Sequence, residues 1–503
     1  ATKRFMQNHQ STSIHDGDLM SQRQLLAKRI GLVAITNFLV EANSMIMLPL
    51  LTKNLPASEY GIWVQISVTL GLIPAVVLLG LPYSMARFLP SSKGRENIRE
   101  IFYSIAAVIV FGGMMASAAI YSFAEPIASA LFNGRLIVVQ YLSILVLLEC
   151  LIGIPFGYFR GIQQIKKYSA FNFFKVFLSL LLVIHFVLSG KGIMGALTGL
   201  MLGNTIIFLA MISLIVYDLG VSIPKFENIK EYMAFGMPTI PGNLSSWIVT
   251  SSNRYVIGLL MGTTFVGYFS PGYVLGSMIN LFIAPLSFIL PAALSKYYDE
   301  HEIGEVRVIL GFALKSFLTM GIPAAFGLSL LSWPILNVLS TPEIAAQGYL
   351  ITPFMALGAL FLGAYAIVSQ IFILEKKTAL TGKIWIIAAI LNLALSFLLI
   401  NYTGIIGGAI ATLASFAFAF TTVNYYANKS LRIIFDRNFI VKSSTASIVM
   451  SLMLLIIRPE GTLELVLSIA FGVLVYFAVL LFLKGFTVAE IDFIKKLFFN
   501  MHR

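Results

Sequence analysis

Polar and apolar positions along this chain separate into long apolar runs with short polar breaks. Runs of about 20 apolar residues, enough to cross a bilayer as a helix, recur from Ile30 to Leu483. Breaks at glycine, proline and charge clusters divide them into fourteen predicted spans: 30–51, 61–86, 100–122, 138–158, 168–189, 192–217, 232–260, 266–292, 307–331, 346–373, 379–400, 404–427, 440–457 and 463–483. Nearly continuous apolarity does not fit the period-two alternation of a membrane barrel, so all fourteen are expected to be helices. The predicted fold class is an all-α polytopic membrane protein.

The pattern repeats at long range. "EYGIW" at 59–63 is echoed by "FVGYFS" at 265–270, and "EPIASALFN" at 125–133 by "WPILNVLST" at 333–341. "QQIKKYSAF" at 163–171 is echoed by "FILEKKTAL" at 372–380, and "GIMGALTGL" at 192–200 by "GIIGGAIATL" at 404–413. The offsets stay between 206 and 212 residues and the order is kept. Six spans per copy gives both copies the same orientation, so the expectation is two six-helix lobes related by a parallel repeat, plus a C-terminal helix pair. The expected organisation is an N-tail at 1–29, an N-lobe at 30–217 and a linker at 218–231. A C-lobe at 232–427, the extra pair at 428–483 and an amphipathic tail at 484–503 follow.

Composition agrees with this reading. Of 503 residues, 58% are hydrophobic and 11% charged, too few charges to cover a soluble surface of this size. The net charge of +12 does not imply nucleic acid, because the basic residues sit in short segments beside the spans. Arg23, Lys28, Arg29, Arg87, Lys93, Arg95, Arg99, Arg160, Lys166, Lys167, Lys376, Lys377, Lys429, Arg432 and Arg437 fall on one side, with others. The opposite side has Lys53, Arg135, Lys191 and Arg458. The positive-inside rule then predicts cytoplasmic N- and C-termini.

The first thirty residues are polar and hold no apolar h-region before a cleavage site, so no secretory signal peptide is expected. The single cysteine, Cys150, has no partner in the chain. No GxxxxGK[ST] loop is present, and "HEIGE" at 301–305 lacks the second histidine of a zinc-binding HExxH. No catalytic residues, cofactor or metal are expected. The segment 487–499 carries a Thr487/Glu490 capping box and an apolar face of Val488, Ile491, Ile494 and Phe498, the pattern of a helix on the membrane surface.

Charges within spans are the rare features. Arg254 lies about six residues from the outer end of span 7, after a polar run of Ser245, Ser246, Thr250, Ser251, Ser252 and Asn253. Two readings stay open: it snorkels to the interface, or it faces a cavity and binds pyrophosphate, for which a planar guanidinium is suited. Pro238, Pro241 and Gly242 predict a break earlier in that helix. Glu149 and Lys175 lie at similar depth on consecutive spans, either as an ion pair or as coupling and substrate groups. Lys315 sits some two turns inside span 9, and Arg87 ends span 2 where a cytoplasmic mouth would be. Glu41 falls near the middle of span 1, so its carboxylate needs a proton, a partner or water. Ion coupling and a structural bond are both open for it.

The ordered set "LTKNLPASEYGIW", "LLGLPYSMARFL", "FRGIQQIKKYS", "FGMPTIPGNLSSWIVTSSNRYVIG" and "VGYFSPGYVLGSM" resembles the polysaccharide transporter and O-antigen flippase family. That family belongs to the multidrug, oligosaccharidyl-lipid and polysaccharide exporter superfamily. The resemblance implies a V of two six-helix lobes. It also implies flipping of a polyprenyl-pyrophosphate-linked glycan, such as an O-antigen unit of lipopolysaccharide, to the outer leaflet of a bacterial cytoplasmic membrane. Expected substrate contacts are Arg254, Asn253, Lys315, Lys175 and Arg87. Glu41 and Glu149 are candidates for H⁺ or Na⁺ coupling. Expected partners are the lipid-linked glycan, membrane lipids and other polysaccharide assembly proteins. Family members often carry Asp where this chain has Asn253, a change that removes a charge able to take part in ion coupling. The competing functions are a multidrug exporter of the same superfamily and a membrane-embedded polymerase or ligase.

Overall fold

The structure is a computed structural model that describes residues 36, 39–40, 43–92, 94–431, 436–457, 459 and 461–486. Glu41, the N-tail and the predicted surface helix at 487–499 lie outside the described residues. All regular structure among the described residues is helical. Among the described residues, ten helical segments are long and apolar enough to cross a membrane.

The N-terminal half of the described chain, which we term the first lobe, runs through α1 (43–54), α2 (Ala57–Val77), α3 (Leu81–Phe88), α4 (Arg95–Ser122), α5 (Ala124–Leu131), α6 (Leu136–Gly161), α7 (Ile165–Phe186) and α8 (Gly192–Leu219). Short α9 (Ile229–Gly236) leads into the second lobe of α10 (Ile240–Met261), α11 (Thr263–Ser277), α12 (Ala284–Asp299), α13 (Ile303–Leu330), α14 (Ser332–Leu339), α15 (Pro342–Gly348), α16 (Ile351–Val368), α17 (Gln370–Leu374), α18 (Thr378–Thr403) and α19 (Ile405–Ser430). The last pair, α20 (Arg437–Ile457) and α21 (Thr462–Phe482), packs against α13.

Several predicted spans are broken. Predicted span 2 is α2 and α3, separated at Gly80, whose φ of 69° is left-handed and suits glycine. The break expected near Pro238 is a 3₁₀ turn at Met237–Thr239. Predicted span 8 likewise divides at a 3₁₀ turn, Met278–Phe282. Helix α10 has 22 residues but is not among the ten apolar spans, because its serines, threonine, two asparagines and arginine make it too polar.

The lobes meet where α2 packs on α10 and α11, and again where α3 packs on α9. The first contact is backbone to backbone: a Cβ on Gly61 would lie 1.8 Å from the Thr263 carbonyl oxygen. Without an aqueous driving force between helices in lipid, such close small-residue crossings supply the contact area. Asn133 Nδ2 donates to Thr263 Oγ1 at 2.7 Å beside it. At the far end Ser84 Oγ donates to the Tyr232 carbonyl at 2.6 Å, and Phe88 packs on the rings of Tyr232 and Phe235.

Candidate substrate cavity

Between these two lobe contacts lies a cavity of about 560 Å³, bounded by α1, α2, α7, α8, α10 and α11. Its size falls within the usual range of small-molecule sites. Helix α10 supplies its polar wall with Thr250, Ser251 and Arg254. The helix tolerates these residues because short hydroxyls bond back to their own turn: Ser245 Oγ to the Pro241 carbonyl at 2.7 Å, and Thr250 Oγ1 to that of Ser246 at 3.0 Å.

Arg254 lines this cavity and is only 7% exposed, about 10 Å from the end of α10 at Met261. Its guanidinium lies over the Tyr273 ring, 3.9 Å from the centroid, and also near Phe269 at 5.9 Å. Arg254 Nη1 donates to the Thr250 carbonyl at 2.9 Å, and Tyr273 OH donates to the same oxygen at 2.8 Å. The head is therefore fixed by a ring and a carbonyl while most of its five donors remain for a ligand.

Lys175 of α7 lines the same cavity and is bonded to Glu149 of α6. Glu149 Oε2 also accepts from Asn204 Nδ2 of α8 at 3.2 Å. The structure thus forms the Glu149–Lys175 ion pair that sequence depth allowed. Among the described residues lining the cavity, Arg254 and Lys175 are the charged ones, and no carboxylate faces it.

The other candidates lie elsewhere. Asn253 is fully buried, its Nδ2 donating to Thr412 Oγ1 of α19 at 3.0 Å. With Ser252, whose Oγ donates to Asn392 Oδ1 at 3.2 Å, it faces the interior of the second lobe. Consecutive helical residues point about 100° apart, and here that rotation turns Asn253 towards Thr412 and away from the wall that Arg254 lines. Lys315 lies 3.6 Å from Asp436 Oδ2 and against the Phe439 ring, at the junction with α20. Arg87 is exposed at the end of α3 and does not reach the cavity.

The structure adds side chains that sequence reasoning did not single out. Tyr60 and Trp63 of α2, Trp247 of α10 and Tyr273 of α11 give the cavity an aromatic lining, with Asn43 and Ser44 of α1 opposite. Trp63 lies in the repeated "EYGIW" segment and Trp247 in the polar run of α10, so the signal was present in those motifs.

This cavity falls almost wholly within residues 50–343, the stretch matched by the family of polysaccharide biosynthesis proteins. The chain belongs to that family. Within the polysaccharide biosynthesis family reading, a curated relative is the probable low-salt glycan biosynthesis flippase Agl15 of Haloferax volcanii, 21% identical over 257 residues. That match covers 50% of this chain and 54% of the relative, so the chain spans about half the length of the curated relative it matches. Among solved structures, the inward closed conformation of the lipid II flippase MurJ aligns with a TM-score of 0.75 at 19% identity, over 89% of this chain and 97% of that one. An inward-facing multidrug resistance MATE transporter of the MOP superfamily aligns at 0.65 with 14% identity, over 79% and 98%. A MOP superfamily transporter from Pyrococcus furiosus, described as having a binding pocket of reversed polarity, aligns at 0.58 with 15% identity, over 80% and 95%. These likenesses show the fold, an all-helical MurJ- and MATE-like membrane architecture.

Proposed function

We propose that this chain flips a polyprenyl-pyrophosphate-linked glycan from the cytoplasmic to the outer leaflet by alternating access, with Arg254 as the principal contact to the pyrophosphate. The observation that carries the reading is a buried, ring-backed guanidinium in an interlobe cavity whose described charges are both basic. Such a cavity favours an anionic ligand, and charge-assisted bidentate bonds select phosphate geometry. Lys175 is the second contact. Asn253, Lys315 and Arg87 are assigned indirect roles: Asn253 sets the angle of α10, Lys315 anchors α20, and Arg87 meets the carrier at the cytoplasmic mouth. Glu149 and Glu41 are the carboxylates left for H⁺ or Na⁺ coupling.

The finer architecture belongs to the same proposal: fourteen spans, two six-helix lobes divided at 218–231, a C-terminal pair, and both termini in the cytoplasm of a bacterial cell. Two features support a parallel repeat. Helices α4 and α13 each have 28 residues and are each followed by an eight-residue helix, Ala124–Leu131 and Ser332–Leu339. Gly192 and Gly404, which precede the repeated apolar runs, have φ/ψ of 55°/−146° and 65°/−146°.

The rival reading, export of cationic drugs, draws on the MATE-like fold. It calls for acidic groups on the cavity wall, and among the described residues none is there.

The test is glycan export at matched protein levels. Arg254→Ala is expected to lower export tenfold or more with insertion intact, since a charge-assisted bond contributes roughly 1.5–3 kcal/mol. Arg254→Lys is expected to rescue only partly, having charge without the fork. Full activity in Arg254→Ala ends the proposal, and full rescue by Arg254→Lys points to a snorkelling arginine.

A further inference from the structure

A second cavity, of about 830 Å³, lies between the C-terminal helix α20 and the α13, α16 and α19 bundle. It is segregated along its length. Leucine, isoleucine and phenylalanine side chains of α13, α16 and α19 wall most of it, whereas Asn424, Asn428, Ser444 and Arg437 gather where α19 ends and α20 begins. Leu314 and Phe326, both in the wall, are twelve residues apart on α13, about 18 Å at 1.5 Å per residue. One leaflet of the hydrocarbon core is about 15 Å thick.

We propose that this groove binds one anionic phospholipid, with its headgroup at Arg437 and an acyl chain along α13. Among the described residues Arg437 makes no ion pair or hydrogen bond, and it is exposed at the polar end. Asn428 Nδ2 donates to Asn424 Oδ1 at 3.2 Å, which leaves the second Asn428 proton for a phosphate or glycerol oxygen. The polar end is on the side of the Lys/Arg-rich loops, where positive side chains meet anionic headgroups. A phospholipid fits better than the lipid-linked cargo. The groove shares no lining residue with the Arg254 cavity, so a carrier held there has its pyrophosphate in a different compartment. The occupant would fasten α20 to the second lobe, beyond any role in moving cargo.

The full chain in detergent, stripped of lipid, is titrated with phosphatidylglycerol, phosphatidylcholine or a polyprenyl monophosphate and followed by native mass spectrometry. The wild type is expected to hold one phosphatidylglycerol at least tenfold more tightly than phosphatidylcholine. Arg437→Gln should erase that preference and Arg437→Lys should keep it. Leu357 lines the groove but is 44% exposed, so Leu357→Trp adds bulk without disturbing buried packing. It should weaken both phospholipids alike. Equal retention of the two phospholipids by the wild type, or an unchanged preference in Arg437→Gln, overturns the proposal. So does displacement of phosphatidylglycerol by an equimolar polyprenyl monophosphate, which would assign the groove to the carrier.

Discussion

Gln65 Nε2 of α2 donates at 3.0 Å to the main-chain carbonyl of Arg254 on α10, so the first lobe holds the helix that presents the cavity's guanidinium. Gln65 is fully buried, and this bond crosses the two lobes. A buried neutral hydrogen bond contributes about 1 kcal/mol net, equivalent to roughly a fivefold population shift. Gln65→Leu is therefore expected to lower the ratio of closed to open molecules about fivefold. The measurement is disulfide formation between cysteines replacing Asn133 and Thr263 in a Cys150→Ser background. Unchanged cross-linking would show that this bond does not hold the lobes together.

Lys175 lines the cavity and is held from behind by Glu149, with side chains 20% and 25% exposed. Removing one partner strands the other charge, and partial hydration limits the cost to roughly 1–3 kcal/mol. Glu149→Gln and Lys175→Met should each lower thermal stability, and the double variant should cost less than their sum. A Glu149→Gln protein that melts like wild type but transports without its ion gradient would instead identify Glu149 as the coupling group.

Gly80 combines a φ of 69° with a near-contact, since a Cβ there would lie 2.2 Å from the Gly236 carbonyl oxygen. Gly80→Ala is expected to separate α3 from α9 while leaving the α2–α11 crossing in place. Fluorescence quenching of a probe at Tyr83 by a water-soluble quencher should rise several-fold. No change in quenching would mean that the α3–α9 contact tolerates a methyl group.

The proposed orientation rests on the Lys/Arg asymmetry and is open to chemical labelling. Cysteines at Ser189 and Thr403 are expected to react with an impermeant thiol reagent added to intact cells. Those at Ser92 and Ser430 should react only after permeabilisation. Cys150 is buried and is replaced by serine as a precaution. The reverse pattern would invert the molecule in the membrane.

The sequence carried depth along each helix far better than direction around it. Span length, the α10 break near Pro238 and the co-planar Glu149 and Lys175 were legible, because apolar length and residue counting fix height in the bilayer. Which way Asn253 and Lys315 face was not, because that depends on neighbours far away in the chain. Thr412 is 159 residues from Asn253, and Asp436 is 121 residues from Lys315. The division of span 2 at Gly80 was missed for a related reason. A glycine inside an apolar run looks neutral until the backbone of α9 is seen pressed against it.

The Tyr273 ring beside Arg254 has a consequence for what the cavity can hold. A guanidinium is flat, and with one face covered by the ring and Nη1 engaged by Thr250, only its edge and opposite face are presented. An approaching anion must therefore offer two oxygens in the plane of that edge. Phosphates do so with one oxygen per N–H, a closer geometric match than a single spherical ion such as chloride sitting between the two donors. Simple salts then compete less well than phosphates for this basic pocket, which can discriminate among anions by shape without being sealed from small ions.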